Sequence, residues 1–194
     1  TEALQTLTTA NLLEANGDGR FRMHDLLRVY ARDRADVDDD PATRDAAATR
    51  VLAYYIAVVR RLTPLLWPGL PVDTEPLPVS VSALPTIEHR RTATAWLRDE
   101  HANLVAAIVA LSPHPLVWRL VHVLRRHLGT IGDDAAALVA AESGLASARA
   151  EGDLTGELAM MRRVASAHFA AARYDEAIAW SEHALRLARD ARDP

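Results

Sequence analysis

Apolar residues recur at three- and four-residue intervals over most of the chain, and the interruptions divide it into elements. Leu4, Leu7 and Ala10 predict a first helix within residues 1 to 11. Leu12 to Ala15 and Arg20 to Met23 then flank "NGDG", whose glycines supply the positive φ that a tight hairpin needs, so strand, turn and strand are expected. In the second strand Phe21 and Met23 point one way and Arg20 and Arg22 the other, which predicts a hairpin with one buried side. Leu26, Leu27, Tyr30 and Ala31 follow at the spacing of a helix packed on that hairpin.

Helix, two-stranded wing and helix make a winged-helix-like order. Its first helix carries no Arg or Lys, although phosphate neutralisation supplies most of the affinity of a helix for a DNA groove, so no direct nucleic-acid binding is expected. The run "DVDDD" at 36 to 40 reads as a hinge, with Asp40 as an N-cap and Pro41 at the first helical position. It lacks the central glycine and distal glutamate of a calcium loop. A long helix is expected from about 41 to 62, burying Leu52, Tyr55, Ile56, Val59 and Leu62, with Pro64 and Pro68 ending it. Pro68, Pro71, Pro76, Pro78 and Pro85 then exclude regular structure, and Leu77, Val79, Val81 and Leu84 give this crossover apolar residues with which to dock on its own core. Trp96, Leu97, Leu104, Val105 and Ile108 mark a helix over 92 to 111, and Leu116 to Leu128 the next, with Gly129 placed for a left-handed cap. Helices over 134 to 151, 155 to 171 and 174 to 191 complete an antiparallel array.

The array repeats. "DDAAALVAAESGLASAR" at 133 to 149 aligns with "YDEAIAWSEHALRLAR" at 174 to 189, pairing Ala137 with Ala177 and Leu145 with Leu185 at a separation of 40 residues. A helix pair at a fixed period is the mark of a solenoid. Met161, Val164, Ala165, His168, Ala177, Ala184 and Leu185 fall at the packing positions of a tetratricopeptide repeat, although Ala165, His168 and Ser181 depart from its usual residues. The expected fold is therefore mainly α: a winged-helix remnant with a short β-hairpin at 1–37, a helical arm at 38–112 with a Pro-rich crossover at 68–87, and tetratricopeptide-like helix pairs at 113–194.

Composition narrows the function. The 194 residues are 49% hydrophobic and 25% charged, enough for a sizeable core, and all 22 basic residues are arginine, a bias that points to GC-rich codons and a bacterial source. There is no cysteine to form a disulfide, nucleophile or metal ligand, no apolar run long enough to span a bilayer, and a net charge of −4 without a basic stripe. A cytoplasmic protein without membrane or nucleic-acid contacts is expected. His122 and His127 are five residues apart and face differently on a helix, and no H-E-x-x-H occurs, so no metal site is expected. The chain opens on Thr1 inside an amphipathic pattern and stops at Pro194 after a helix with an unfinished apolar face, as a section of a larger protein would.

The order "NLLEANGDGRFRMHDLLRVYARDRA", "AWLRDEHANLVAAI" and tetratricopeptide-like pairs resembles the STAND class of NB-ARC-type switch ATPases. It is most similar to bacterial transcriptional regulators of the antibiotic-regulatory-protein (SARP-like) type. The "MHD" at the end of the wing carries most of the likeness. By that resemblance His24 touches the β-phosphate of bound ADP and holds a closed state, Met23 is buried in the wing, and Asp25 supports the helix start. A helix N-terminus offers free N–H groups to a diphosphate, and an imidazole can donate one more bond there. The resemblance further implies ADP or ATP in the full-length protein only, and partners comprising the protein's own nucleotide-binding domain, an inducer on the repeats (protein or small molecule) and self-oligomers.

No G-x-x-x-x-G-K-[ST] loop occurs, and without lysine none is possible, so catalysis by this chain itself is not expected. Two other functions fit the same residues: a plain tetratricopeptide-type interaction scaffold, and the middle section of an NB-ARC defence or signalling ATPase.

Overall fold

The computed structural model describes residues 2–16, 20–82 and 84–191, and it is mostly helical with a small antiparallel hairpin. The chain divides into two units, Thr1–Ala47 and Ala48–Pro194.

The first unit holds α1 (Glu2–Thr9), β1 (Glu14–Asn16), β2 (Arg20–Arg22), α2 (Asp25–Asp38) and the opening turns of α3 (Pro41–Leu66). The strands pair in the register Glu14 with Arg22, Ala15 with Phe21 and Asn16 with Arg20. Gly17 and Gly19, expected to shape the turn, lie outside the described residues.

The hairpin has no buried side. Phe21 is 42% exposed, and Leu26 and Tyr30 on α2 are 77% and 63% exposed, so α2 does not bury its apolar stripe on the hairpin as its spacing predicts. Three-residue strands present too little apolar surface to cover a helix, and Leu13 is the one buried side chain among this unit's described residues. What the unit has instead is polar joinery. Asp40 accepts hydrogen bonds from the backbone N–H of Thr43 at 3.0 Å and from its hydroxyl, capping α3 and holding the Asp40 carboxyl below its usual range. The Arg44 guanidinium reaches back to the carbonyls of Ala35, Asp36 and Asp39 at the end of α2, whose last turn has no basic residue of its own.

The second unit takes the rest of α3, then α4 (Arg90–Leu111), α5 (Leu116–Val123), α6 (Arg125–Leu128), α7 (Asp134–Glu151), α8 (Leu154–Ala170) and α9 (Tyr174–Asp190). Its core joins Leu52, Ile56, Val59 and Leu62 of α3 to Leu97, Leu104 and Ile108 of α4, to α5, and to Met160, Met161 and Val164 of α8. Tyr55, Trp96 and Val105, expected in the core, are half-buried at its margin, where Tyr55 donates to Glu100 at 3.1 Å.

Three expectations need correction here. Pro64 does not end α3, which runs on to Leu66; the turn closes around the missing N–H, with the Thr63 hydroxyl donating to Val59 and Trp67 N–H to Thr63. The helix expected over 116–128 breaks at Leu124, beside which the Arg125 guanidinium takes the His122 carbonyl at 2.9 Å. Gly129 has φ −81°, and the left-handed cap falls instead at Gly152, past the end of α7.

The crossover behaves as its alternating pattern predicts: Leu77, Val79 and Val81 pack on the core while Pro78, Ser80 and Ser82 are exposed. Two ion pairs tie it down, Arg60 with Asp73 at 2.6 Å and Arg119 with Glu75. Burial opposes the Asp73 charge, but bonds from Arg60 and from Glu75 N–H outweigh it and lower its pKa.

The helices α7, α8 and α9 pack in sequence, with α5 against α7 and α8. α7 begins at Asp134 and α9 at Tyr174, in phase with the 40-residue repeat. Ala177 and Ala184 are buried, but Leu185 is 50% exposed where its counterpart Leu145 is buried, because α9 packs chiefly on α8. Close approach depends on two glycines. A Cβ at Gly144 would lie 2.7 Å from the Met160 sulfur, and one at Gly156 2.9 Å from the Trp118 indole.

No helix among the described residues is long and apolar enough to cross a membrane.

Gly156→Ala is expected to destabilise the chain by roughly 1 kcal/mol or more, because displacing an indole outweighs the gain in helix propensity. Urea denaturation measures it, and a stabilised variant refutes the close-approach reading. Asp73→Ala is expected to cost roughly 2–3 kcal/mol, since it strands the Arg60 guanidinium, and Glu75→Ala under about 1 kcal/mol at its exposed pair. Equal losses in urea melts contradict this ranking.

Candidate functional site

The strand β2 ends at Arg22, and two residues later the chain enters α2. His24 occupies the N-cap position with φ −61° and ψ 145°, and its carbonyl accepts the first helical bond from Arg28 N–H at 2.9 Å. The His24 side chain makes no capping hydrogen bond to this helix, and among the described residues no other capping bond to it is seen. The first-turn N–H groups of Asp25, Leu26 and Leu27 therefore keep their hydrogen-bonding capacity at the positive end of the helix dipole. The His24 side chain is exposed beside them.

Asp25, which residue preference casts as the cap, sits one position inside the helix, where its charge complements the dipole and its carboxylate pairs with Arg28. Met23 is half-buried instead of buried, because the hairpin offers it no apolar layer. Met23 and His24 thus form an extended lead-in to the helix that Asp25 opens, a geometry that can receive an oxyanion.

Two further clusters lie in the second unit, and sequence reading missed both. In the first, His101 Nδ1 and His127 Nε2 share a hydrogen bond at 3.2 Å, and His101 Nε2 lies 3.7 Å from an Asp133 carboxylate oxygen. Burial, then the charge of His101, pushes the His127 pKa down to about 4. No three His, Cys, Asp or Glu side chains converge as a metal set among the described residues. The two histidines are 26 residues apart, and only the packing of α4 beside α6 joins them.

The second cluster is cationic. Arg125 and Arg126 on α6 and Arg162 and Arg163 on α8 lie near enough for their charges to act on one another, and those of Arg125, Arg162 and Arg163 on His122. Burial, then the charges of Arg162, Arg125 and Arg126, lowers the Arg163 pKa; burial, then Arg125, lowers that of His122. Arg125 and Arg163 line a recess of about 80 Å³ with walls of small residues, Gly129, Ala137, Ala141 and Ala167. The recess adjoins an open groove of about 610 Å³ between α8 and α9, lined by Phe169, Tyr174 and Ile178 and sharing Arg163 and Ser166 with it. Two Arg-Arg pairs, 37 residues apart, were the signal in the sequence.

The chain is similar to the regulatory protein AfsR of Streptomyces griseus, with 30% identity over 196 residues that cover 99% of this chain and 20% of that protein. It is also similar to regulatory protein AfsR of Streptomyces coelicolor, with 33% identity over 111 residues, 55% of this chain and 11% of that protein. The chain therefore spans about a fifth of the length of the first of these relatives. No family model matches it. No solved structure matches it either.

The neutral state of buried His127 has a consequence for stability. Its folded pKa of about 4 lies below the unfolded value of about 6.5, so between those values the unfolded chain binds the extra proton. Stability is expected to fall as pH drops from about 6.5 to about 4, by roughly 3 kcal/mol from this group, and to level off below. In His127→Gln that part of the slope should vanish from urea melts run between pH 7 and 4; an unchanged slope excludes His127 as its source.

Proposed function

We propose that this chain is the nucleotide-sensing and protein-interaction section of a STAND-class, ATP/ADP-switched transcriptional regulator. Its own role is regulatory, not catalytic. The observation that carries this reading is the alignment with regulatory protein AfsR along 99% of the chain, through the hairpin, the His24 joint and the helical array alike.

In this proposal a nucleotide-binding domain elsewhere in the protein holds ADP, and His24 contacts the β-phosphate. The uncapped start of α2 supports that role, since its N–H groups and dipole favour an anion and an imidazole beside them adds a donor. Leu26, Val29, Tyr30 and Val37 support the same partner from another direction. They form an apolar stripe along α2, 60–77% exposed, and such a stripe on a soluble helix is built to be covered. The nucleotide-binding domain is the partner we assign to it. The repeats then receive an inducer that binds the open state better, withdraws His24 from ADP and permits exchange and self-association in the cytoplasm.

One observation favours a second reading, that of a plain interaction scaffold: the apolar α8–α9 groove needs no nucleotide to receive a partner. Partner capture by the full-length protein with and without ADP separates the two.

In the full-length regulator, His24→Ala removes one hydrogen bond to a charged group, worth about 1.5–3 kcal/mol, so ADP retention is expected to fall about ten-fold or more. Basal transcription of a reporter rises with it. Wild-type ADP retention and wild-type basal transcription in the variant together overturn the assignment of His24.

A further inference from the structure

The cationic cluster is costly unless something answers it. Guanidinium groups repel one another most where burial lowers the local dielectric, and Arg125 and Arg163 are both half-buried. Among the described residues neither forms an ion pair, and the nearby Asp73 is committed to Arg60. Arg125 spends one N–H on the His122 carbonyl, which leaves the rest of its donors and all those of Arg163. Ser166 gives its hydroxyl proton to the Arg162 carbonyl, so the arginines are the donors the recess offers. Asp134 at the recess makes no ion pair with either of them.

We propose that the recess between α6, α7 and α8 binds the oxyanion head, phosphoryl or carboxylate, of an amphiphilic small molecule. The head sits between Arg125 and Arg163, and the apolar body lies in the adjoining groove against Phe169, Tyr174 and Ile178. Size and charge both fit. About 80 Å³ is several times the space one water needs, which suits one such head group. A planar guanidinium binds phosphate or carboxylate through paired N–H donors, and two of them facing one recess give an anion more than its hydration shell does. The groove beside it is wide and open, with Phe169, Tyr174 and Ile178 as apolar lining for the body of such a ligand and Arg162, Ser181 and Glu182 lining it as well. This site names the chemistry of the inducer proposed above for the repeats. Its use as a sensor rests on that reading, but the binding itself does not, and failure here leaves the His24 test standing.

Isothermal titration of the intact chain with inorganic phosphate, phenyl phosphate, benzoate and phenol tests the site. Phenyl phosphate is expected to bind more tightly than inorganic phosphate, phenol not at all, and benzoate against phenyl phosphate tells a carboxylate head from a phosphoryl one. Arg163→Gln and Arg125→Gln should each weaken binding at least ten-fold, Asp134→Asn should tighten it, and Arg91→Gln, an exposed residue of α4 that does not line the recess, should leave it unchanged. Thermal melts of the same variants supply a second readout: without ligand, Arg163→Gln and Arg125→Gln melt higher than wild type because repulsion is relieved. The proposal is overturned if phenol binds as tightly as phenyl phosphate. It is equally overturned if Arg91→Gln loses as much affinity as Arg163→Gln, or if neither recess arginine changes affinity.

Discussion

The close contact of α5, α7 and α8 is the constraint on which the second unit depends. At Gly144 and Gly156 there is no room for even a methyl group, because Met160 and Trp118 already occupy the space. Helices that approach so closely bring what they carry on their flanks together as well. The Arg-Arg pair of α8 is drawn beside the Arg-Arg pair of α6, and the alanines between them leave a recess instead of filling it. Apolar packing therefore supplies the free energy that holds like charges near one another.

Much of the helical order is legible in the sequence because it rests on local periodicity. The helices of the repeat start and stop within a residue or two of where spacing and turns place them, and the crossover alternates as its valines and leucines suggest. What fails is what depends on a second layer. Leu26, Tyr30 and Phe21 read as core residues because their spacing is right, yet periodicity says only that a face is apolar and not that anything covers it. Leu185 fails for the same reason at the other end of the array. Pro64 fails differently, because a helix held on several sides by Leu62, Leu66 and their neighbours can absorb one missing N–H.

The candidate sites divide along the same line. His24 is singled out in the sequence because its setting is made by adjacent residues: a strand, an extended link and a helix start. The His101–His127 pair and the four arginines are assembled from separate helices, and no spacing rule joins residues 26 or 37 apart. Motif and geometry also select different kinds of position. The motif falls at an open helix end, while the recess has a pocket and no motif.

The scarcity of buried side chains in the first unit bears on how cheaply that unit can change. With Leu13 as the one fully buried residue among those described and Leu4, Leu7, Met23 and Leu27 half-buried, hydrophobic burial contributes far less there than in a unit with a core of its own. Its order comes from caps, turn bonds and helix propensity, each of which can be remade elsewhere at little cost. Such a segment lies at the low end of the stability range within a folded protein, where opening needs a few kcal/mol at most. Binding of modest strength is then enough to decide its conformation. The residues around His24 are thus the ones least held by a core, and those of the recess sit on helices that have one.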